Sequence, residues 1–223
     1  MGALTSNEYC KVGRAFLRAI DKLVMDTETK DKGSLFDTLD KIKLVEGSCL
    51  GLYLAHQSGM GDESWFYTFP VGKDPLESNV VQDHFMLPED KPQFDGLRVE
   101  PSAMGAWQAY LYHIAPTVMP VWWHGGYICR DNIFSEGAFN KAVGSRVPGV
   151  KSPIKGLDKV TQEDVLPTVT FENGKAVVSC CYWSNWGGLI RETVVIKFKG
   201  DKVKSFSSGR SKTLVFYDCG ICF

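Results

Sequence analysis

Apolar residues recur every three or four positions along the first part of the chain. One helical stripe is formed by Tyr9, Val12, Phe16, Ile20, Leu23 and Val24. This spacing is typical of an amphipathic helix. Thr5 precedes the stripe and Glu8 follows it by three positions, the arrangement of a capping box. The pattern therefore predicts a first helix over residues 6–25.

The middle of the chain changes to denser apolar runs separated by turn residues. The runs at 48–56 and 65–69 flank a glycine-containing turn, and this order predicts a β-hairpin with a long loop. Residues 102–114 return to helical spacing. Pro116 and Pro120 follow directly, and we expect them to end that helix because proline cannot donate a backbone hydrogen bond.

The last third of the chain predicts an antiparallel meander. Asn173-Gly174 lies between two apolar runs and favours a tight hairpin turn, since both positions tolerate positive φ. Along 189–199 apolar and polar residues alternate, as in a strand with one buried face. Five strands are predicted, at 168–171, 175–183, 189–199, 202–206 and 213–223.

These elements together predict an α+β fold. N-terminal helices would pack on a mainly antiparallel sheet that ends in a β-meander of four to five strands. Residues 1–223 are expected to form a single domain, because a meander alone would leave an apolar face uncovered. The polar connector at 144–167 is the one place where the chain could divide.

Composition narrows the function classes. The net charge is −1, without the basic excess typical of nucleic-acid-binding domains. No apolar run reaches the length of about 18 residues that suggests a transmembrane helix. The seven cysteines are odd in number and irregularly spaced, unlike a disulfide framework. We therefore expect a soluble, cytoplasmic protein that binds neither nucleic acid nor membrane.

Cofactor and metal motifs are not predicted either. The sequence carries no glycine-rich phosphate loop and no HExxH motif. Cys219 and Cys222 form a CxxC pair, but residues three apart on a strand face opposite sides. We expect no metal site, no cofactor and no disulfide at this pair.

Two aromatic segments, residues 121–127 and 182–188, are candidates for a binding site. Both combine tryptophan with a Gly-Gly pair, and tyrosine and tryptophan are favoured at recognition surfaces. We expect the two segments to meet at one end of the sheet and to bind a protein partner or a small ligand. The binding residues predicted there are Trp122, Trp123, His124, Tyr127, Trp183, Asn185 and Trp186.

Glu192 is the polar residue that breaks the apolar alternation of its strand. A buried carboxylate needs a partner, and His124 or Arg130 could be that partner, whereas Arg191 faces the other way. The leading hypothesis is a non-enzymatic recognition protein. The alternative is a hydrolase-like enzyme that uses His124 with Glu192 or with Cys49 as a nucleophile. The sequence sets neither the ligand nor the oligomeric state.

Overall fold

The computed structural model describes residues 5–26, 28–57, 61–75, 93–119, 130–144, 154 and 156–220.

The first helix is the element that the sequence predicts best. Helix α1 spans Ser6–Met25, as predicted, and the Glu8 carboxylate accepts a hydrogen bond from the Thr5 amide at 2.7 Å. Phe16 and Ile20 on the predicted stripe are buried in the core.

Four further α-helices and one 3-10 helix lie within the described part of the chain. The α-helices are α2 (Leu35–Thr38), α3 (Ala103–Val118), α4 (Glu136–Gly144) and α5 (Gln162–Val165), and the 3-10 helix is Leu157–Lys159. α3 is buried nearly all round, including Trp107, Tyr110 and Tyr112. It therefore forms the centre of the molecule's helical layer.

All strand pairs of the described residues are antiparallel, which confirms the predicted α+β class. The strands are β1 (Ile42–Leu44), β2 (Ser48–Gln57), β3 (Gly61–Pro70), β4 (Leu97–Val99), β5 (Asp131–Asn132), β6 (Thr168–Glu172), β7 (Lys175–Ser184), β8 (Gly188–Lys199), β9 (Lys202–Ser208) and β10 (Lys212–Val215). β1 pairs with β4, and β2 pairs with β3 in the predicted hairpin. The remaining strands form a six-stranded main sheet.

The main sheet is organised around the long β7–β8 pair. Its register runs from Lys175 opposite Lys197 to Ser184 opposite Gly188. β6 and β5 lie along different halves of β7, and β9 and β10 lie along different halves of β8. The predicted β6–β7 turn is present, with Asn173 at φ 50° and Gly174 at φ 71°. The strands β6 to β9 form the predicted meander.

Several predicted boundaries differ from the structure. β3 begins at Gly61 rather than at 65, and β9 continues to Ser208 rather than ending at 206. Helix α3 continues past 114 to Val118 and contains Pro116. The last strand, predicted over 213–223, ends at Val215 and pairs at the outer side of β8. Residues 121–129, whose apolar run also predicts a strand, lie outside the described residues.

The side chain of Gln93 explains how α3 tolerates its internal proline. Pro116 has no N–H to donate to the carbonyl of Tyr112 four residues earlier. The Gln93 Nε2 donates to that carbonyl at 3.0 Å instead, and to the His113 carbonyl at 3.3 Å. A residue distant in sequence therefore supplies the hydrogen bond that the helix itself cannot make.

The buried side of β7 changes at Cys180 and Cys181. Adjacent strand residues point to opposite faces. On one face Ala176, Val178 and Cys180 join the core built by α1 and α3. On the other face Cys181 and Trp183 join a second core, which also contains Val165 and Val215. β7 is thus covered on one side along its first half and on the other side along its second half.

Candidate functional site

Glu192 lies on the covered face of the main sheet, beside α3. It sits opposite Cys180 in the β7–β8 register and two positions from the buried Val194. The alternation of β8 thus points a carboxylate toward the helical layer. An unpaired charge there would be costly, so the position demands a partner.

Arg130 is that partner, as one of the two predicted alternatives. Its Nη1 donates to Glu192 Oε2 at 3.0 Å, and its Nη2 donates to Glu192 Oε1. The two side chains are only 14% and 17% exposed. A two-bond guanidinium–carboxylate pair with this little solvent contact is held in a fixed geometry. The other predicted partner, His124, lies outside the described residues.

Tyr110 joins the pair from α3. Its hydroxyl donates to Glu192 Oε1 at 2.5 Å and accepts from Arg130 Nη2 at 2.5 Å. Its ring stacks on Trp107 with centroids 5.3 Å apart. Burial, followed by the effects of Cys180 and Glu192 and opposed by Arg130, raises the pKa of Tyr110 well above its ordinary value, so the hydroxyl keeps its proton. Sequence reasoning missed Tyr110, because on the helical stripe it looks like any apolar core residue.

Two residues of the sheet border the guanidinium of Arg130. The ring of Tyr182 on β7 lies 4.1 Å from the guanidinium carbon, within cation–π range. Asn132 on β5 accepts from Arg130 Nε at 3.1 Å through its Oδ1. Tyr182 and Asn132 are directly paired across β5 and β7. We call Tyr110, Arg130, Asn132, Tyr182 and Glu192 the arginine cluster.

One polar atom of the arginine cluster is unsatisfied. The Nδ2 of Asn132 is buried and has no hydrogen-bond acceptor among the described residues, and the whole residue is only 5% exposed. The Oδ1 of the same amide is taken by Arg130, so the donor cannot be satisfied by turning the amide over. Buried donors without an acceptor are uncommon and call for an explanation.

Cys180 lies directly opposite Glu192 in the β7–β8 register. Its complete burial raises the pKa of the thiol to about 12. The thiol therefore stays protonated at neutral pH. Since only the thiolate is nucleophilic, Cys180 is a packing residue.

The predicted nucleophile Cys49 lies apart from Glu192. It is on β2, in the two-stranded β2–β3 sheet, whereas Glu192 is in the main sheet. Burial, then a hydrogen bond with Asp31, raises the pKa of the Cys49 thiol. The described contacts do not join Cys49 to Glu192.

The aromatic residues after β7 divide between core and surface. Trp183 is 1% exposed and stacks on Tyr217 with centroids 5.4 Å apart. Its Nε1 donates to Asn185 Oδ1 at 3.3 Å. This burial leaves no ring face of Trp183 for a ligand, so the structure places it in the second core. Trp186 is half-buried and packs against that core from outside.

The other predicted binding residues cannot be placed. Trp122, Trp123, His124 and Tyr127 lie outside the described residues, so their predicted meeting with Trp186 stays a prediction. Arg130, the first described residue after that segment, does lie against Tyr182. The arginine cluster therefore contains Tyr182, which begins one aromatic segment, and Arg130, which follows the other segment by three positions in the sequence.

The chain was compared with known proteins. No protein-family model, curated protein or solved structure matches it. Of the helices that the structure describes, none combines the length and apolar character needed to cross a membrane.

Proposed function

We propose that this protein is a non-enzymatic recognition protein whose binding site is the end of the main sheet that carries the arginine cluster. Its occupant is a small ligand with an oxygen acceptor, such as a carbonyl or carboxylate group. This ligand would contact Asn132 and Tyr182, with Arg130 behind them.

The unsatisfied Nδ2 of Asn132 carries the proposal. A buried N–H donor without an acceptor costs free energy, about 1–3 kcal/mol. A ligand oxygen at hydrogen-bond distance would remove that cost. The free energy of binding would be more favourable by the same amount. Small-molecule sites commonly use one or two such fixed polar groups to orient a ligand.

The fixed geometry of Arg130 supports the same site. Glu192, Tyr110 and Asn132 together hold the guanidinium on three sides. The amide of Asn132 is held in turn, because its Oδ1 accepts from Arg130. A donor that is fixed before binding loses little conformational entropy when the ligand arrives.

The protonation of the nearby groups supports recognition over chemistry. Both oxygens of Glu192 already accept hydrogen bonds, so the carboxylate is engaged within the arginine cluster. The raised pKa values of the Cys180 and Cys49 thiols keep both protonated at neutral pH.

The test uses an isosteric substitution. Asn132→Asp keeps the oxygen that accepts from Arg130 but replaces the Nδ2 donor with a second acceptor. A panel of small carboxylates, amides and sugars would be screened against the wild type by ligand-observed NMR. We expect at least one to bind, and we expect Asn132→Asp to abolish that binding because two acceptors would face each other.

The matched control is Asn173→Asp in the β6–β7 turn, which makes the same change at an exposed position. It should bind the ligand as the wild type does. If every compound that binds the wild type binds Asn132→Asp equally well, the proposed site is refuted, as it is if no compound of the panel binds.

A further inference from the structure

A groove separates α1 from the segment that leads into α2. It has a volume of about 450 Å³, within the range of sites that hold small molecules. It shares no residue with the arginine cluster. Its lining comes from α1 and from residues 32–38, and consists of Ala15, Arg18, Ala19, Lys22, Leu23, Asp26, Lys32, Ser34, Leu35, Asp37 and Thr38.

Two of the charged groups in the groove are already paired. Lys32 is 8% exposed, and its Nζ donates to the carbonyl of Asp26 at the end of α1. The Asp26 carboxylate accepts from the amides of Glu28 and Thr29 at 3.1 and 3.0 Å. These contacts close the carboxyl-terminal end of α1, so neither charge is left for a ligand.

Arg18 and Lys22 are different. They lie one helical turn apart on α1, both are exposed, and neither has an ion-pair partner within the described ranges. Like charges at this spacing destabilise a helix slightly. Asp37 is the one carboxylate of the lining that remains beside them, so the unpaired groups of the groove carry a net positive charge.

The lining also has an apolar part. Ala19 contributes a small side chain to it, and Leu23 and Leu35 are 7% and 1% exposed. The groove thus combines two cations that have no ion-pair partner among the described residues with a set of aliphatic side chains. An occupant that complements both parts has one anionic group and a short aliphatic body.

We propose that this groove binds a small aliphatic carboxylate. The carboxylate would lie between Arg18 and Lys22, and the aliphatic body would cover Leu23 and Leu35. The guanidinium of Arg18 suits this role because its planar N–H groups match the two oxygens of a carboxylate.

The experiment compares two probes of nearly the same shape, 4-methylpentanoate and its neutral analogue 4-methylpentanamide. Isothermal titration calorimetry would measure the dissociation constant of each for the wild type at low salt. We expect saturable binding of the carboxylate and binding of the amide that is about tenfold weaker or undetectable, because the charge-assisted hydrogen bonds are lost.

Variants locate the binding. Arg18→Gln and Lys22→Gln should each weaken binding of 4-methylpentanoate about tenfold. Lys11→Gln is the matched control, because Lys11 is an exposed cation of the same helix that does not line the groove. It should leave the dissociation constant unchanged, and circular dichroism should give the same helix content for all three variants.

Three results would overturn the proposal: no saturable binding of 4-methylpentanoate, equal binding of the amide, or an equal effect of Lys11→Gln and Arg18→Gln. Asn132→Asp should bind 4-methylpentanoate as the wild type does. This separates failure of the groove from failure of the arginine cluster.

Discussion

Glu192 accepts two hydrogen bonds from Arg130, a residue 62 positions earlier in the chain. The pair joins β8 to the segment that enters β5, and Tyr110 attaches both residues to α3. Three distant parts of the chain therefore meet through one guanidinium.

The arginine cluster should be sensitive to the loss of one charge. In Glu192→Gln, the guanidinium of Arg130 stays in a largely buried site without its counterion. We expect the free energy of unfolding to fall by about 3 kcal/mol, as for other buried pairs that lose one partner. Urea denaturation at pH 7 measures this loss.

The exposed pair Lys30–Asp74 is the control. Its atoms are 2.6 Å apart, but its side chains are 70% and 84% exposed. Asp74→Asn should therefore cost much less stability than Glu192→Gln, because solvent screens the charges of an exposed pair. If Glu192→Gln costs no more than Asp74→Asn, the buried pair does not hold the sheet to α3.

Trp183 and Trp186 should differ in their contribution to stability. Trp183→Ala removes a ring from the interior of the second core, and we expect a loss of about 3–5 kcal/mol. Trp186 covers the same core from outside, so Trp186→Ala should cost about 1–2 kcal/mol by the apolar area involved. Losses of equal size in urea denaturation would mean that Trp186 is a core residue and leaves no surface for recognition.

His113 should titrate below the ordinary histidine range. Its ring stacks on Phe206 with centroids 4.4 Å apart, and its Nδ1 lies 2.9 Å from Gln93 Oε1. The residue keeps solvent contact, but partial desolvation of the ring, with a smaller opposing effect of Glu192, lowers its pKa from 6.5. The unfolded chain therefore binds this proton more readily than the folded protein does, and the stability from neutral His113 is complete above pH 6.5 and declines as the pH falls below it.

Two measurements check the sign. The His113 ring resonance in NMR, identified by its loss in His113→Gln, should have a midpoint below 6.5. The wild type should also lose more stability than His113→Gln between pH 8 and pH 5.5. A midpoint above 6.5 would show that the Glu192 carboxylate outweighs burial.

The four buried cysteines should be unreactive in the folded protein, and all seven thiols of the chain should be free in the unfolded one. Cys10, Cys180, Cys181 and Cys219 are buried as free thiols, and burial raises the pKa of the first three. Dithionitrobenzoate should therefore label these positions slowly at pH 8. In denaturant without reductant it should detect all seven thiols of the chain, and a deficit of two would reveal a disulfide.

Gln93 and Pro116 should be energetically coupled. Gln93→Met leaves the carbonyl of Tyr112 without its donor, and we expect a loss of about 1 kcal/mol or more. In Pro116→Ala, the helix regains an amide that can donate to that carbonyl, so Gln93→Met should then cost clearly less. Additive losses in the double-mutant cycle would show that Gln93 acts through other contacts.

The local pattern of apolar and polar residues predicted the helices and strands. The arginine cluster, in contrast, depends on contacts between residues that are distant in the sequence. The helical stripe of α1 and the Asn173-Gly174 turn depend on nearby residues, and both are present as predicted. The strand alternation of β8 also placed Glu192 on the covered face. Its partner could be narrowed to two residues, but the choice of Arg130 depends on how β5 lies along β7, which no local pattern encodes.

Trp183 shows why the aromatic segments were harder to interpret. A tryptophan next to a Gly-Gly turn has the same local pattern whether its ring faces solvent or a second core. The deciding fact is that Ala142 of α4, Val165 and the C-terminal residues Val215, Tyr217 and Cys219 cover the far face of β7. Tyr110 is the opposite case, because the sequence pattern indicates a core residue and the structure places its hydroxyl in a polar cluster. Its position on the helical stripe gives no sign of that hydrogen bonding.

The change of buried face at Cys180 and Cys181 also governs how the molecule comes apart. Because neighbouring residues of one strand belong to different cores, peeling β7 away from β8 exposes both cores at once. The β7–β8 pair therefore couples the unfolding of the two cores. Local opening is confined to elements that belong to one core alone. An insertion of a single residue between these cysteines would invert which side of the second half of β7 faces solvent, so this dipeptide should tolerate a change in chain length poorly.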